Sequence, residues 1–162
     1  MNSLAAQIVE LANAQRKTIG TAESCTGGMV GAALTSVPGC SAVFKGGIIS
    51  YANSVKSSLL DVPPGMIQKY GAVSREVSKA MAKSALEALN VDIAVSVTGV
   101  AGPGGGSDEK PVGTVWLGVA IKDGDNICVK TKLFQSEREG REAIRVATVR
   151  QALGLLRDAL QA

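Results

Sequence analysis

The chain has 162 residues, enough for one domain with a real core and too few for two. Its net charge is only +3, with both signs interspersed, and its apolar runs are short, so the sequence excludes the basic surface of a nucleic-acid-binding protein and a membrane span. It contains no histidine, which excludes a Ser-His-Asp triad, a Cys-His dyad and the usual zinc sites within this chain.

The rest of the composition predicts a cytoplasmic protein with no metal site. Cys25, Cys40 and Cys128 form an odd set without CxxC spacing, as expected of reduced thiols rather than of disulfides or a zinc framework. The N-terminus lacks the layout of a signal peptide. Abundant glycine and scarce aromatic residues favour a layered α/β fold with a core of small aliphatic side chains.

Helical and strand-like patterns alternate through the first half of the chain. Apolar residues at helical spacing predict an opening helix, and β-branched runs predict strands. In chain order, the predicted elements are a helix at 3–16, a strand at 18–23, a helix at 29–35 that ends before Pro38, a strand at 43–51, and a short helix capped by Asn53 or Ser54.

The second half combines a helix and a buried strand with a hairpin. The predicted elements are a loop at 62–65, a helix from its N-cap Ser74 to about Leu89, a strand at 91–98, a glycine-rich loop at 99–111, strands at 112–121 and 127–134 joined by a turn at 122–126, and a final helix at 136–160. Because βα units are combined with a hairpin, we expect one α/β domain over 1–162, a three-layer α/β/α sandwich with a mixed sheet.

Ser24 stands where the first predicted strand passes into a helix that opens with glycine. A hydroxyl there projects from the edge of the sheet, and the backbone N–H groups of Thr26 and Gly27 at the helix N-terminus are candidates to hold an oxyanion. The alternative is that Ser24 or Thr26 is an ordinary N-cap, the default role of such residues. Cys25 is a rival nucleophile, because a helix N-terminus lowers the pKa of a thiol.

Without histidine, acid–base chemistry must use Lys, Tyr, Cys, Asp or Glu. Lys56 lies in the first turn of the helix that follows Tyr51. The helix dipole and burial would both favour its neutral amine, which can act as a base. The alternative is a solvated surface lysine, with Tyr51 packed over the sheet edge.

A glycine-rich loop follows the strand at 91–98. Thr98 at the end of that strand and Gly99, Gly102, Gly104 and Gly105 in the loop are candidates to bind a substrate, because the bare backbone of glycine can approach a ligand closely. A merely flexible connection would have the same composition.

Three arginines, Arg138, Arg141 and Arg145, cluster near the start of the last predicted helix and are candidates to bind a phosphate. The alternative is surface ion pairs, because Glu137 stands four residues before Arg141 and Glu142 three before Arg145.

Taken together, these motifs closely resemble the CinA C-terminal domain family, in its form as a nicotinamide-nucleotide amidase. The likeness covers essentially the whole chain and lies in the stretches TAESCTGG (21–28), PGCSAVFKGGIISYANSVK (38–56), YGAVSREV (70–77), VSVTGVAGPGGGSDEKPVGTVW (95–116) and REAIR (141–145). The resemblance implies hydrolysis of the carboxamide of nicotinamide mononucleotide to nicotinate mononucleotide and ammonia, by a homodimer that needs no cofactor. The alternative function is a nucleotide-binding or regulatory module that keeps the fold without turnover.

Residue by residue, the resemblance places the nucleophile on Ser24, the lysine base on Lys56, the assisting tyrosine on Tyr51 and a substrate-binding loop on Thr98 to Pro103. The family's final motif usually reads Gly-Asp-Arg, whereas this chain has Ser-Glu-Arg at 136–138 and then Glu-Gly-Arg at 139–141. The phosphate-binding arginine is therefore expected to be one of the three named above.

Overall fold

Five strands form one sheet in a computed structural model that describes residues 2–162. They are β1 (Ile19–Glu23), β2 (Phe44–Ile49), β3 (Ile93–Gly99), β4 (Thr114–Asp123) and β5 (Asn126–Gln135). Their order across the sheet is β2-β1-β3-β4-β5. β1 runs parallel to both of its neighbours, whereas β4 pairs antiparallel with β3 and β5. The predicted mixed sheet is confirmed.

Burial along the strands follows their place in the sheet. β1 is buried along its whole length, and β3 at every residue except Gly99, because helices cover both faces of these central strands. The edge strands β2 and β5 alternate between more buried and more exposed residues, as expected of strands with one face in the core.

Within residues 2–162, six α-helices cover the sheet, and a short 3₁₀-helix (Cys40–Ala42) precedes β2. The α-helices are α1 (Asn2–Gln15), α2 (Met29–Thr35), α3 (Asn53–Leu60), α4 (Pro64–Tyr70), α5 (Arg75–Leu89) and α6 (Arg141–Gln161). On one face, α1, α2 and α6 pack on a core of β-branched and leucine side chains from the strands, such as Val95 and Leu117. On the other face, α5 with α3 and α4 packs on smaller strand residues, such as Ala94 and Ala120. The three-layer α/β/α sandwich is therefore confirmed.

Some predicted boundaries are wrong for local reasons. The predicted loop at 62–65 ends early, because Pro64 begins α4 at a position where its fixed φ suits a helix and its missing N–H has no bond to lose. The last helix begins at Arg141 rather than at 136, after Gly140 with a φ of 91°. The N-cap of α3 is Ala52, so neither Asn53 nor Ser54 caps it.

Ser74 is the N-cap of α5, as predicted, and its hydroxyl accepts a hydrogen bond from the amide of Val77 at 3.2 Å. Within residues 2–162, the helices that are long enough to cross a membrane are too polar to do so.

The parallel strands bring three chain segments to one edge of the sheet. Glu23 at the end of β1 pairs with Ile49 of β2 and with Val97 of β3, so the residues that follow these positions emerge side by side. In open α/β sheets, ligands bind outside the carboxyl ends of the strands, where the chain turns to opposite sides. The sheet thus assembles a candidate site from the ends of β1, β2 and β3.

Candidate active site

Ser24 leaves β1 in a turn that is fastened to β3. Its amide donates to the carbonyl of Val97 at 3.0 Å, and its carbonyl accepts from the amide of Gly27 at 3.0 Å. The residue is only 8% exposed, and it lines a cavity. Its hydroxyl therefore has a fixed place at the sheet edge.

The side chain of Lys56 is buried at the same edge. The residue is 1% exposed, and its Nζ lies 3.1 Å from the Oγ of Ser24, 2.8 Å from the carbonyl oxygen of Ser50 and 3.0 Å from that of Tyr51. The alternative of a solvated surface lysine is therefore wrong.

The three partners of Lys56 suit a neutral amine. Two are carbonyl oxygens, which can only accept, and they use the two N–H bonds of an uncharged amine. The amine lone pair is then left for the hydroxyl proton of Ser24. In the charged form, the ammonium would instead donate to all three oxygens. The contacts thus allow proton transfer between Ser24 and Lys56 without a change of partners.

Burial favours that neutral form. Desolvation lowers the pKa of Lys56, and within residues 2–162 no carboxylate forms a salt bridge with it to reverse the effect. A base with a lowered pKa is what a serine needs when no histidine is present.

Glu23, the residue before Ser24, is also fully buried. Its carboxylate accepts from the hydroxyl of Thr26 at 2.6 Å and from the amides of Gly28, Val30 and Gly31 at 3.1, 3.0 and 2.9 Å. It therefore caps α2 from the end of β1, where a negative charge is favourable.

The sequence interpretation missed this cap. The N-cap position of α2 is Gly28, which has no side chain to offer, and the expected serine or threonine cap is wrong. The available signal was an acidic residue just before a helix opening that contains two glycines.

The predicted oxyanion donors need correction. The amide of Gly27 already donates to the carbonyl of Ser24, and neither Thr26 nor Gly27 lines the cavity. The amide of Cys25 donates to no protein oxygen within residues 2–162, and Cys25 lines the cavity beside Ser24. The N–H of the residue after a nucleophile is also the usual oxyanion donor in α/β hydrolases.

The thiol of Cys25 does not have the chemistry expected of a nucleophile. Burial raises its pKa to about 11, outweighing a hydrogen bond from its own backbone and the charges of Arg145 and Arg141, which all lower it. Because Glu23 occupies the N-terminus of α2, its charge opposes a thiolate as well. The expectation of a lowered pKa is therefore wrong.

Tyr51 approaches Lys56 through its backbone rather than through its phenol. The carbonyl accepts from Nζ of Lys56, whereas the hydroxyl accepts from Nη2 of Arg141 at 2.9 Å. Arg141 also donates through Nη1 to the carbonyl of Gly102 at 2.8 Å. Arg141 thus ties the start of α6 to the glycine-rich loop and to the end of β2.

These groups surround a cavity of about 290 Å³. Six of the eight residues named as candidates to bind substrate line it: Thr98, Gly99, Gly102, Gly104, Gly105 and Arg141. The loop requires glycine at some of these positions. Gly102 has a φ of 76°, and a Cβ atom there would lie 2.5 Å from Cγ1 of Val112.

The three candidate arginines have different places. Arg141 lines the cavity, whereas Arg138 lines a separate hollow of about 450 Å³ beside α6. Arg145 is not in the cavity wall. It donates through Nε to the carbonyl of Cys25 at 3.0 Å and through Nη2 to that of Thr26 at 3.3 Å. Within residues 2–162, the expected ion pairs with Glu137 and Glu142 do not form.

Comparison with known proteins gives a consistent result. A family model described as the CinA C-terminal domain matches residues 1–160. A CinA-like protein from Parasynechococcus marenigrum (strain WH8102) is 50% identical over 161 residues, which are 99% of this chain and 38% of that protein. One from Thermosipho melanesiensis is 47% identical over 89% of this chain and 35% of its own. This chain thus spans little more than a third of the length of such relatives.

Solved structures share the fold over nearly the whole chain. The competence/damage inducible protein CihA from Agrobacterium tumefaciens is 42% identical with a TM-score of 0.93, covering 99% of this chain and 95% of its own. A protein of the CinA superfamily from Klebsiella pneumoniae 700603 is 29% identical with a TM-score of 0.91, covering 99% and 97%.

Proposed function

The chain belongs to the CinA C-terminal domain family, and we propose that it hydrolyses the carboxamide of nicotinamide mononucleotide to nicotinate mononucleotide and ammonia. The observation that carries the reaction class is the buried amine of Lys56, 3.1 Å from the hydroxyl of Ser24. The substrate comes from the likeness of the sequence motifs to nicotinamide-nucleotide amidases.

In the first half of the reaction, the Oγ of Ser24 attacks the amide carbon while the neutral amine of Lys56 takes its proton. The carbonyl electron pair moves onto the oxygen, which the amide of Cys25 holds as an oxyanion. When the oxyanion collapses, the C–N bond breaks and Lys56 passes the proton to the leaving nitrogen, which departs as ammonia.

In the second half, a water molecule attacks the ester on Ser24. Lys56 takes a proton from the water and returns it to the Oγ of Ser24 when the ester bond breaks, which releases the carboxylic acid. Every proton and electron pair is supplied by Ser24, Lys56, the substrate and water, so the proposal invokes no metal or organic cofactor.

The rest of the cavity would hold the nucleotide. The bare backbone of Gly104 and Gly105 allows a flat ring to approach closely. Among the three candidate arginines, Arg141 is the one in the cavity wall, so we assign the phosphate to it. To bind phosphate, its guanidinium would exchange its contact with the hydroxyl of Tyr51 for the ligand.

The direct test is ammonia release from nicotinamide mononucleotide, nicotinamide riboside and free nicotinamide. We expect efficient turnover of the mononucleotide alone, since the other two lack the phosphate. Equal rates on the riboside would reject the phosphate requirement. Tight nucleotide binding in calorimetry with no ammonia from any of the three would instead favour the non-catalytic binding module.

A homodimer in the cytoplasm is part of the same proposal. Ile49, Tyr51 and Leu59 are each more than half exposed where β2, at the edge of the sheet, leads into α3. A second copy that covered these side chains would bury an otherwise exposed apolar surface. Sedimentation of the wild-type chain beside a Leu59→Glu variant tests this, and a monomeric wild type would reject it.

A further inference from the structure

Arg145 contacts the turn that carries Ser24 without lining the cavity. Its guanidinium bonds the carbonyls of Cys25 and Thr26, and it is absent from the cavity wall that Ser24 and Cys25 form. Within residues 2–162 it has no carboxylate partner, so its charge is directed at the peptide groups of this turn.

Cys25 has its two flanking peptide groups fixed by different hydrogen bonds. The Ser24–Cys25 peptide is held inside the turn, where the carbonyl of Ser24 accepts from the amide of Gly27. The carbonyls of the next two peptides, Cys25–Thr26 and Thr26–Gly27, accept from Arg145. The N–H of Cys25 lies in the plane of the Ser24–Cys25 peptide, so its direction depends on the bond from Gly27 to the carbonyl of Ser24. Arg145 supports that bond, because the carbonyl of Thr26 that it holds is in the same planar peptide as the Gly27 N–H.

We propose that Arg145 is a positioning residue, which holds the amide of Cys25 in the direction needed to stabilise the oxyanion on Ser24, and that it is not a phosphate ligand. This inference rests on the proposed amidase function. It assigns different work to the two arginines one helical turn apart on α6: Arg141 binds the substrate, and Arg145 maintains the site that reacts with it.

The charge of Arg145 should favour the oxyanion, as its hydrogen bonds to the turn do. A cation at the carbonyl of Thr26 polarises the peptide that contains the Gly27 N–H, and so strengthens the hydrogen bond from Gly27 to the carbonyl of Ser24. Its field also favours negative charge at Cys25, the residue next to the nucleophile, since it lowers the pKa of that thiol against the larger effect of burial. An oxyanion beside Ser24 would benefit from the same field.

The test compares Arg145→Gln and Arg145→Lys with Arg150→Gln, an exposed arginine on the same helix that lines no part of the cavity. For Arg145→Gln we expect kcat on nicotinamide mononucleotide to fall about 10- to 100-fold, somewhat less than the loss of a whole oxyanion donor, with KM changed by no more than about twofold. Arg145→Lys should recover part of kcat, because it keeps the charge but not the two-pronged contact. Arg150→Gln should match the wild type.

A second measurement does not depend on turnover. In the folded proteins, the amide resonance of Cys25 should shift in Arg145→Gln and stay in place in Arg150→Gln. A raised KM with unchanged kcat in Arg145→Gln would show a phosphate ligand and overturn the inference, as would an unmoved Cys25 resonance. Absence of ammonia release by the wild type would reject the proposed function instead, and the resonance alone would then decide whether Arg145 holds the turn.

Discussion

Two buried ionisable groups lie at neighbouring strand ends, and their surroundings differ in kind. Glu23 at the end of β1 is surrounded by donors that belong to the fold: three backbone amides and the hydroxyl of Thr26. Lys56, beyond the end of β2, has two carbonyl oxygens and, as its third partner, the hydroxyl of Ser24 at the cavity.

The difference in partners indicates that Glu23 stabilises the fold, whereas Lys56 is suited to proton transfer. The carboxylate of Glu23 is matched by donors that cannot give up their protons, so it holds the start of α2 in place. Within residues 2–162 the amine of Lys56 has no carboxylate partner, and its third contact is a hydroxyl, with which we propose that it exchanges a proton. Burial alone does not identify a catalytic group; the chemistry of the partners does.

The largest expected effect on kcat comes from Ser24, which follows Glu23 in the sequence and contacts Lys56. Ser24→Ala should lower kcat by about 10⁴-fold or more, because it removes the atom that forms the covalent bond. Cys25→Ala should keep most of the activity, since it removes the thiol but keeps the backbone amide. Steady-state kinetics on both variants measures this. Loss of turnover in Cys25→Ala with activity preserved in Ser24→Ala would move the nucleophile to the thiol.

Substitution of Lys56 should come next in size. Lys56→Arg and Lys56→Met should each lower kcat about 10²–10⁴-fold, because a guanidinium keeps its proton and a thioether cannot take one. Circular dichroism should show an intact fold for Lys56→Met, since the neutral amine it replaces has no paired charge to leave behind. Normal rates for Lys56→Arg would mean that only positive charge is needed, with the base elsewhere.

Substitution of Glu23 should show the opposite pattern to that of Lys56, with its main effect on the stability of the fold rather than on kcat. Glu23→Ala leaves four donors without an acceptor, and each buried unpaired group costs about 1–3 kcal/mol, so we expect the free energy of unfolding to fall by roughly 3 kcal/mol or more. Urea denaturation measures this. Glu23→Gln keeps one acceptor oxygen, so its free energy of unfolding should lie between those of the wild type and Glu23→Ala. A stable Glu23→Gln variant with no turnover would make Glu23 the base.

The smallest effect belongs to Arg141, a charged group that is exposed rather than buried. Arg141→Ala should raise KM for the mononucleotide about 10-fold and leave kcat nearly unchanged, because an interaction made equally in the ground and transition states alters binding alone. Arg138→Ala is the matched control, since Arg138 lines a different hollow. A rise in KM for Arg138→Ala alone would exchange the two assignments.

Much of this site could be predicted from the sequence. The absence of histidine leaves lysine as a candidate base, and the place of Ser24 between a strand and a helix follows from the residue pattern. Their approach to 3.1 Å required the pairing of β1 with β2, which no local pattern contains.

What could not be predicted depends on contacts distant in sequence. Arg145 bonds Cys25 across 120 positions, and in the sequence it resembles any arginine in a charged helix. The cap by Glu23 was hidden for a different reason: the carboxylate acts from the preceding strand, whereas the usual cap is the residue at the helix start.

The most direct test of the proposed role of Lys56 is the pH dependence of kcat/KM on nicotinamide mononucleotide. Burial lowers the pKa of Lys56 from the ordinary lysine value of about 10.4, and the proposed mechanism uses the neutral form as the base. Activity should therefore rise with pH through a group that titrates above any carboxylate and below an ordinary lysine, reaching its plateau on the alkaline side. An acidic limb in the carboxylate range, or the same limb retained in Lys56→Arg at near-normal rates, would contradict the assignment of Lys56 as the base.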